Sequence, residues 1–397
     1  MSFCIFNFET NPRPPAGQNH PRLLSPGRYI AVMALTGLAA FALVWVWIAA
    51  MPLAFLDPEY ASWRAKQALL DSCDLGEVLI LGDSRAAAGL MPVLWPVRGT
   101  NLAVGGGEAI EALAALTRAL RCPTPPKRVI LSLDAGHVVA PDLFWERTVR
   151  FGFLDGKEIA TLRRVSGALN DPSVYEIRHT DGLPSGLRDA MYRARFPSLY
   201  FASLVKGGVL LRWRRNETAL AAGIAARGHY FFGTDPGSDV IAADGHLRAF
   251  RPLPVLDWYF TQVLTMLAAR GIRADFVAVP MNETTSDAVD PEVRAGFAAW
   301  LAGYRARFPD FHVAGDAMPH WPDRLFGDGF AHLNREGAAL FSAGLGYCLT
   351  APTLSPSCVQ RLQAAPPNTQ NDAQYGWFNA TGRAASASVV PSSKRGS

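Results

Sequence analysis

Apolar residues in this chain come in blocks of two lengths. The long block runs from Tyr29 to Leu56 without one charged residue. Roughly 20 apolar residues suffice to cross a bilayer, and this run exceeds that. The short blocks are Val78 to Leu81, Thr100 to Val104, Arg128 to Leu133, Ala274 to Val279 and Phe311 to Ala314. Each is too short for a helix and rich in β-prone residues, so each reads as a buried strand. Between them lie stretches with helical patterning: Pro58 to Leu70, a helix opening near Arg85, Glu108 to Leu120, Pro254 to Arg270, Pro291 to Phe308, and a last one from His332 to about Cys348. Pro123, Pro125 and Pro126 stop the third of these. Strands alternating with helices across short turns predict an α/β fold, a parallel sheet covered by helices on both faces.

From Pro141 to about Arg251 the alternation loosens. Trp145, Phe151, Phe153, Trp213, Tyr230, Phe231 and Phe232 occur there among many arginines. This segment reads as a mostly helical insertion beside the active edge of the sheet. Beyond Thr350 proline, serine, alanine and asparagine dominate, and from about residue 363 the chain reads as disordered. The expected organisation is a cytoplasmic segment 1–28, a transmembrane anchor 29–56, an extracytoplasmic domain 57–352 and a tail 353–397.

Charge adds an orientation. Arg13, Arg22 and Arg28 precede the long apolar block against a single acid, Glu9, while Asp57 and Glu59 follow it. An excess of arginine before the block places the N-terminus in the cytoplasm. The block is longer than the 7–15 residues or so of a signal peptide's apolar region, and Ala49-Ala50-Met51 is a poor cleavage site, so it reads as an uncleaved anchor. Over the whole chain the net charge is +4. No basic cluster is interleaved with aromatics, which argues against a nucleic-acid partner.

Of five cysteines, Cys4 precedes the anchor, and Cys73, Cys122, Cys348 and Cys358 follow it. An even number on the outer side suits an oxidising compartment. Cys73 lies just before the first strand and Cys122 shortly before the third. If those strands are neighbours, the two cysteines share one end of the sheet, so Cys73–Cys122 and Cys348–Cys358 are the expected bridges. No Cys/His spacing suits a zinc site, and neither a metal nor an organic cofactor is expected.

The chemistry is expected where strands end, because sites in open parallel sheets form at the carboxyl ends. Gly82-Asp83-Ser84 ends the first strand, Gly105 to Gly107 follow the second, and Asp134 follows the third. Acyl transfer through a serine requires a base, a group that orients the base, and donors for the oxyanion. Ser84 is the candidate nucleophile, His332 the base and Asp328 its orienting acid, with Asp323 as the alternative acid. The N–H groups of Ser84 and Gly106 are the candidate oxyanion donors. Asp134 and His137 read as turn residues, Asp134 being a possible further site residue; His320 and Arg85 receive no role.

At these residues the chain resembles the SGNH/GDSL hydrolase superfamily. Gly82-Asp83-Ser84 is similar to its first block, Asn101 through Gly106 to its second, and Asp328 with His332 to its last. His332-Leu333-Asn334 with Gly337 also resembles a narrower group, the membrane-anchored periplasmic proteins associated with O-acetylation of exopolysaccharides such as alginate and cellulose. The likeness covers roughly residues 77–137 and 255–348, plus the anchor. It implies a three-layer, doubly wound, flavodoxin-like sheet of five strands in the order 2-1-3-4-5. It also implies a bacterial inner-membrane protein, single-pass, with a periplasmic catalytic domain. The implied activity is a serine O-acyltransferase acting on a polysaccharide, with a multispanning membrane acyltransferase as donor partner. A carbohydrate deacetylase and a non-catalytic polysaccharide-binding or scaffold subunit are the alternatives. Two features depart from the superfamily pattern. Asp134 stands where an oxyanion-donating asparagine is usual, and a carboxylate cannot donate; and the acid precedes the histidine by four residues rather than three.

Overall fold

A computed structural model describes residues 25–140, 144–176, 184–201, 208–351 and 353–364. The chain divides into two compact units, 1–47 and 48–397. In the first, the helix Pro26–Ala50 begins. It is the one helix among the described residues that is long and apolar enough to cross a membrane. The expectation for residues 1–28 falls almost wholly outside the described residues.

The charge-free block does not form one helix through Leu56 as expected. Helix Pro26–Ala50 ends before Met51, and a separate short helix, Pro52–Phe55, follows. Pro52 has no N–H to continue the ladder, and it biases Met51 away from helical backbone. Ala54, Phe55 and Leu56 are fully buried. The Asn216 side-chain amide donates to the carbonyls of Leu53 (2.7 Å) and Leu56 (3.1 Å). Asn216 belongs to helix Val209–Ala225 of the insertion, so residues 52–56 are part of the second unit's packing.

Seven strands occur among the described residues: β1 (Val78–Gly82), β2 (Gly99–Asn101), β3 (Arg128–Ser132), β4 (Arg273–Phe276), β5 (Met281–Asn282), β6 (Phe311–Val313) and β7 (His320–Trp321). Five form an all-parallel sheet in the order β2-β1-β3-β4-β6. Since β6 is the strand expected as the fifth, this is the 2-1-3-4-5 order. Every residue of β1 and β3 is buried, which is why they read as continuous apolar runs rather than as alternating ones. The pair β5–β7 forms a second, two-stranded sheet. Its two-residue strands carry no periodicity that a sequence reading detects.

Side chains set the start of two of the helices. Glu108 and Glu111 form a capping box at helix Ala109–Ala119. Asn334 accepts from Gly337 N–H at 3.0 Å, which starts the last long helix at Arg335 rather than at His332. His332 therefore sits in the loop ahead of that helix. Cys73 is bonded to Cys122, with Cα atoms 5.4 Å apart, and Cys348 to Cys358, at 5.8 Å. The expected tail is also shorter at its start: Pro356–Ala364 is a helix. Val359 and Leu362 are fully buried, and the Gln363 amide donates to Ala278 carbonyl at 2.9 Å. A disulfide and two apolar side chains thus tie to the core a stretch whose composition reads as tail. Residues 365–397 lie outside the described residues.

Gly82 closes β1 in close contact with the end of β3. A Cβ at this position would lie 1.9 Å from the Ser132 carbonyl oxygen, and Ser132 is backbone that cannot rotate away. Gly82→Ala is expected to cost more than about 2 kcal/mol of stability, or to prevent folding, measured as a loss of thermal melting temperature. An unchanged melting temperature would contradict the tight β1–β3 junction.

Candidate active site at the carboxyl edge of the sheet

Asp83 caps helix Ser84–Gly89, accepting from Ala86 N–H at 3.1 Å. Its other oxygen accepts from Asp134 N–H at 2.7 Å. One buried carboxylate thus fixes both the turn that carries Ser84 and the loop that leaves β3. As the first residue of its helix, Ser84 has an N–H outside the intrahelical ladder. Asn101, fully buried, donates to the carbonyls of Ala86 and Leu90, both at 2.8 Å, and accepts from Ala103 N–H at 3.0 Å. It braces the Ser84 helix and the glycine loop against each other. In that loop Gly106 has φ +65°, a left-handed backbone that favours glycine.

Ser84 and Gly106 line a cavity of about 530 Å³ together with Asp134, His137, Asp328 and His332. Residues from both ends of the domain therefore meet at one edge. His332 Nδ1 bonds Asp328 Oδ2 at 2.6 Å, and His332 N–H donates to Asp328 Oδ1 at 3.3 Å. The four-residue spacing closes because the loop folds the carboxylate back under the imidazole; Ala331, between them, takes φ +59°. Burial pushes the Asp328 carboxyl up, but the hydrogen bond and charge of His332 outweigh it and leave it below the usual carboxylate range. Phe232 of the insertion stacks on the His332 ring, centroids 4.6 Å apart at 27°. Nε2 of His332 is buried and has no hydrogen-bond partner. It shares the cavity with Ser84 without a bond between them, and such bonds often tighten only around a bound substrate. The alternative acid, Asp323, is committed elsewhere: it accepts from Thr284 N–H at 3.1 Å and Thr284 hydroxyl at 2.6 Å.

Beside this dyad lies a second polar group; the sequence reading treated its Asp134 and His137 as turn residues, Asp134 being a possible further site residue. His137 Nδ1 bonds Asp134 Oδ1 at 2.7 Å and lies 3.8 Å from Asp83 Oδ2. Arg85, buried, pairs with Asp244 Oδ2 at 2.6 Å and approaches Asp134 Oδ2 at 3.6 Å. Asp244 Oδ1 accepts from Gly136 N–H at 3.0 Å. Burial alone would discharge these groups; mutual pairing keeps the central ones charged. For His137 burial works downward, but the charge and hydrogen bond of Asp134, with Asp83 beyond, push the imidazole up to about 10. Asp134 is pushed up by burial and more strongly down by His137 and Arg85, ending well below the usual range. Burial leaves Asp83 and Asp244 raised. Asp83, Asp134 and His137 place ligand-type atoms within 4.8 Å of one another. The positive charge these carboxylates face is already supplied by Arg85 and His137, so the group reads as an ion-pair cluster rather than a metal centre.

Sequence reasoning missed Arg85, Asp244 and Phe232 as parts of this edge. Arg85 had one available signal, its position directly after the serine. Asp244 and Phe232 lie in the insertion, where no periodicity or motif singles them out. Comparison with protein-family models, with curated proteins and with solved structures gives no match to this chain.

The His137 pairing carries a stability signature. Its folded value lies above the ordinary 6.5, so the stabilisation is complete below about pH 6.5 and fades as pH rises toward 10. The melting-temperature advantage of the wild type over His137→Gln is expected to shrink steadily across that window. An advantage that stays constant or grows with pH would contradict the assignment.

Proposed function

We propose that this chain is a membrane-anchored serine acyltransferase or esterase of SGNH type, acting outside the cytoplasm on a polysaccharide. One observation carries the reading: Ser84 and the Asp328–His332 dyad, from opposite ends of the domain, line one cavity at the carboxyl edge of a parallel sheet. The strand order supports it, since the same order is expected of a doubly wound SGNH domain. Asp328 holds the imidazole through Nδ1, which leaves Nε2 to take the serine proton, the division of labour that serine acyl transfer requires. The anchor reading rests on helix Pro26–Ala50 and on the arginine excess before it, and it points to the bacterial inner membrane with the domain in the periplasm. The two disulfides suit that compartment.

The acyl group, taken as acetyl, passes through Ser84 to a sugar hydroxyl in a transferase and to water in an esterase. A multispanning membrane acyltransferase is the proposed donor partner. In cells, Ser84→Ala and His332→Ala are each expected to lower polysaccharide acylation to the level of a strain lacking the protein; unchanged acylation would remove catalysis by Ser84. With the purified protein, an acetyl donor ester and a glycan acceptor, acetylated glycan indicates the transferase, and hydrolysis without transfer the esterase.

A further inference from the structure

Two Asp–His pairs line the Ser84 cavity, and only one can be the base. Asp328–His332 presents an imidazole whose Nε2 lacks a partner. Asp134–His137 lies against the nucleophile's turn: Arg85, the residue after Ser84, approaches Asp134, and Asp83, the residue before it, faces His137. Asp134 itself cannot donate to an oxyanion while ionised. One of its oxygens, Oδ1, accepts from both His137 Nδ1 at 2.7 Å and His137 N–H at 2.9 Å.

We propose that His137, oriented by Asp134, is a catalytic donor: its Nε2–H binds the oxyanion that forms when Ser84 attacks an ester. This deepens the serine-acyl-transfer reading and rests on it. His137 lines the cavity with Ser84 and Gly106, and its Nδ1 is committed to Asp134, which leaves Nε2 as the ring's remaining polar atom. Three carboxylates, Asp83, Asp134 and Asp244, stand around two cations, Arg85 and His137. The charge and hydrogen bond of Asp134, with Asp83 beyond, keep the proton on His137, whose value is pushed up to about 10. An imidazolium cannot take the serine proton, so the two histidines have different roles.

The step balances as follows. Ser84 Oγ bonds to the acyl carbon and its proton passes to His332 Nε2. The carbonyl π pair moves onto oxygen, which accepts hydrogen bonds from His137 Nε2–H and the Gly106 and Ser84 N–H groups; His137 transfers no proton. The carbonyl re-forms as the ester C–O bond breaks, and the leaving oxygen takes the proton from His332. A sugar hydroxyl or water then attacks the acyl-serine, His332 accepting its proton and returning it to Ser84.

The test uses the full-length protein in detergent, with p-nitrophenyl acetate as substrate, and compares H137Q with H137M. Both substitutions remove the positive charge and fill comparable space, but only glutamine keeps an N–H donor. H137M is expected to lose about 10²–10³-fold in kcat, the usual loss of one oxyanion donor, with KM nearly unchanged. H137Q is expected to recover at least about tenfold of that loss. Thermal melts of both variants check that each folds. Equal kcat for H137Q and H137M, or wild-type kcat in H137M, overturns the role of His137 while the Ser84 reading stands. A wild type that does not turn over the ester, and takes up no serine-directed probe, removes the Ser84 reading and this inference together.

Discussion

One buried carboxylate, Asp83, organises the carboxyl edge of the sheet in this protein. Its two oxygens accept from Ala86 N–H and Asp134 N–H, so the turn carrying Ser84 and the loop leaving β3 hold one another in register. β1 and β3 are paired along their full length, Val78 with Arg128 through Gly82 with Ser132. That pairing brings the two loops to the same rim. Asp83 is buried and costly to ionise, and the nearby cations Arg85 and His137 offset part of that cost. The same residues therefore fix the fold locally and set the electrostatics of the cavity.

The insertion completes what the sheet begins. Asp244 reaches Arg85 and Gly136, and Phe232 covers the imidazole of His332. An aromatic ring against this imidazole limits its rotation and shields it from water. Helix Val209–Ala225 packs on helix Pro58–Ser72 and on Pro52–Phe55. The residues just after the long apolar helix are thereby joined to the insertion, which also supplies Phe232, Ala243 and Leu247 to the cavity lining.

Much of this was legible in the residues. Short β-prone runs bounded by Gly82, Asp134 and the glycine triplet marked the first three strands, because a buried parallel strand leaves a continuous apolar signature. The Cys73–Cys122 bridge was legible because each cysteine lies shortly before one of two neighbouring strands; Cys348 and Cys358 were the remaining pair after the anchor. What escaped has physical causes. Met51–Pro52 ended the long helix through backbone chemistry, although the apolar composition runs on to Leu56. Residues 356–364 look like tail by composition, yet Val359 and Leu362 find the core. The last long helix begins at Arg335 rather than His332, because the Asn334 side chain caps it there. The Arg85–Asp244 pair depends on a long-range approach that local patterning cannot encode.

Ser84 is the proposed activated nucleophile of this cavity. The most direct measurement of that role is peptide mapping by mass spectrometry after exposure of the full-length protein to a fluorophosphonate. The prediction is one adduct, on the peptide holding Ser84, that disappears in His332→Ala. An unmodified Ser84 in the wild type, or an adduct that forms equally without His332, would contradict it.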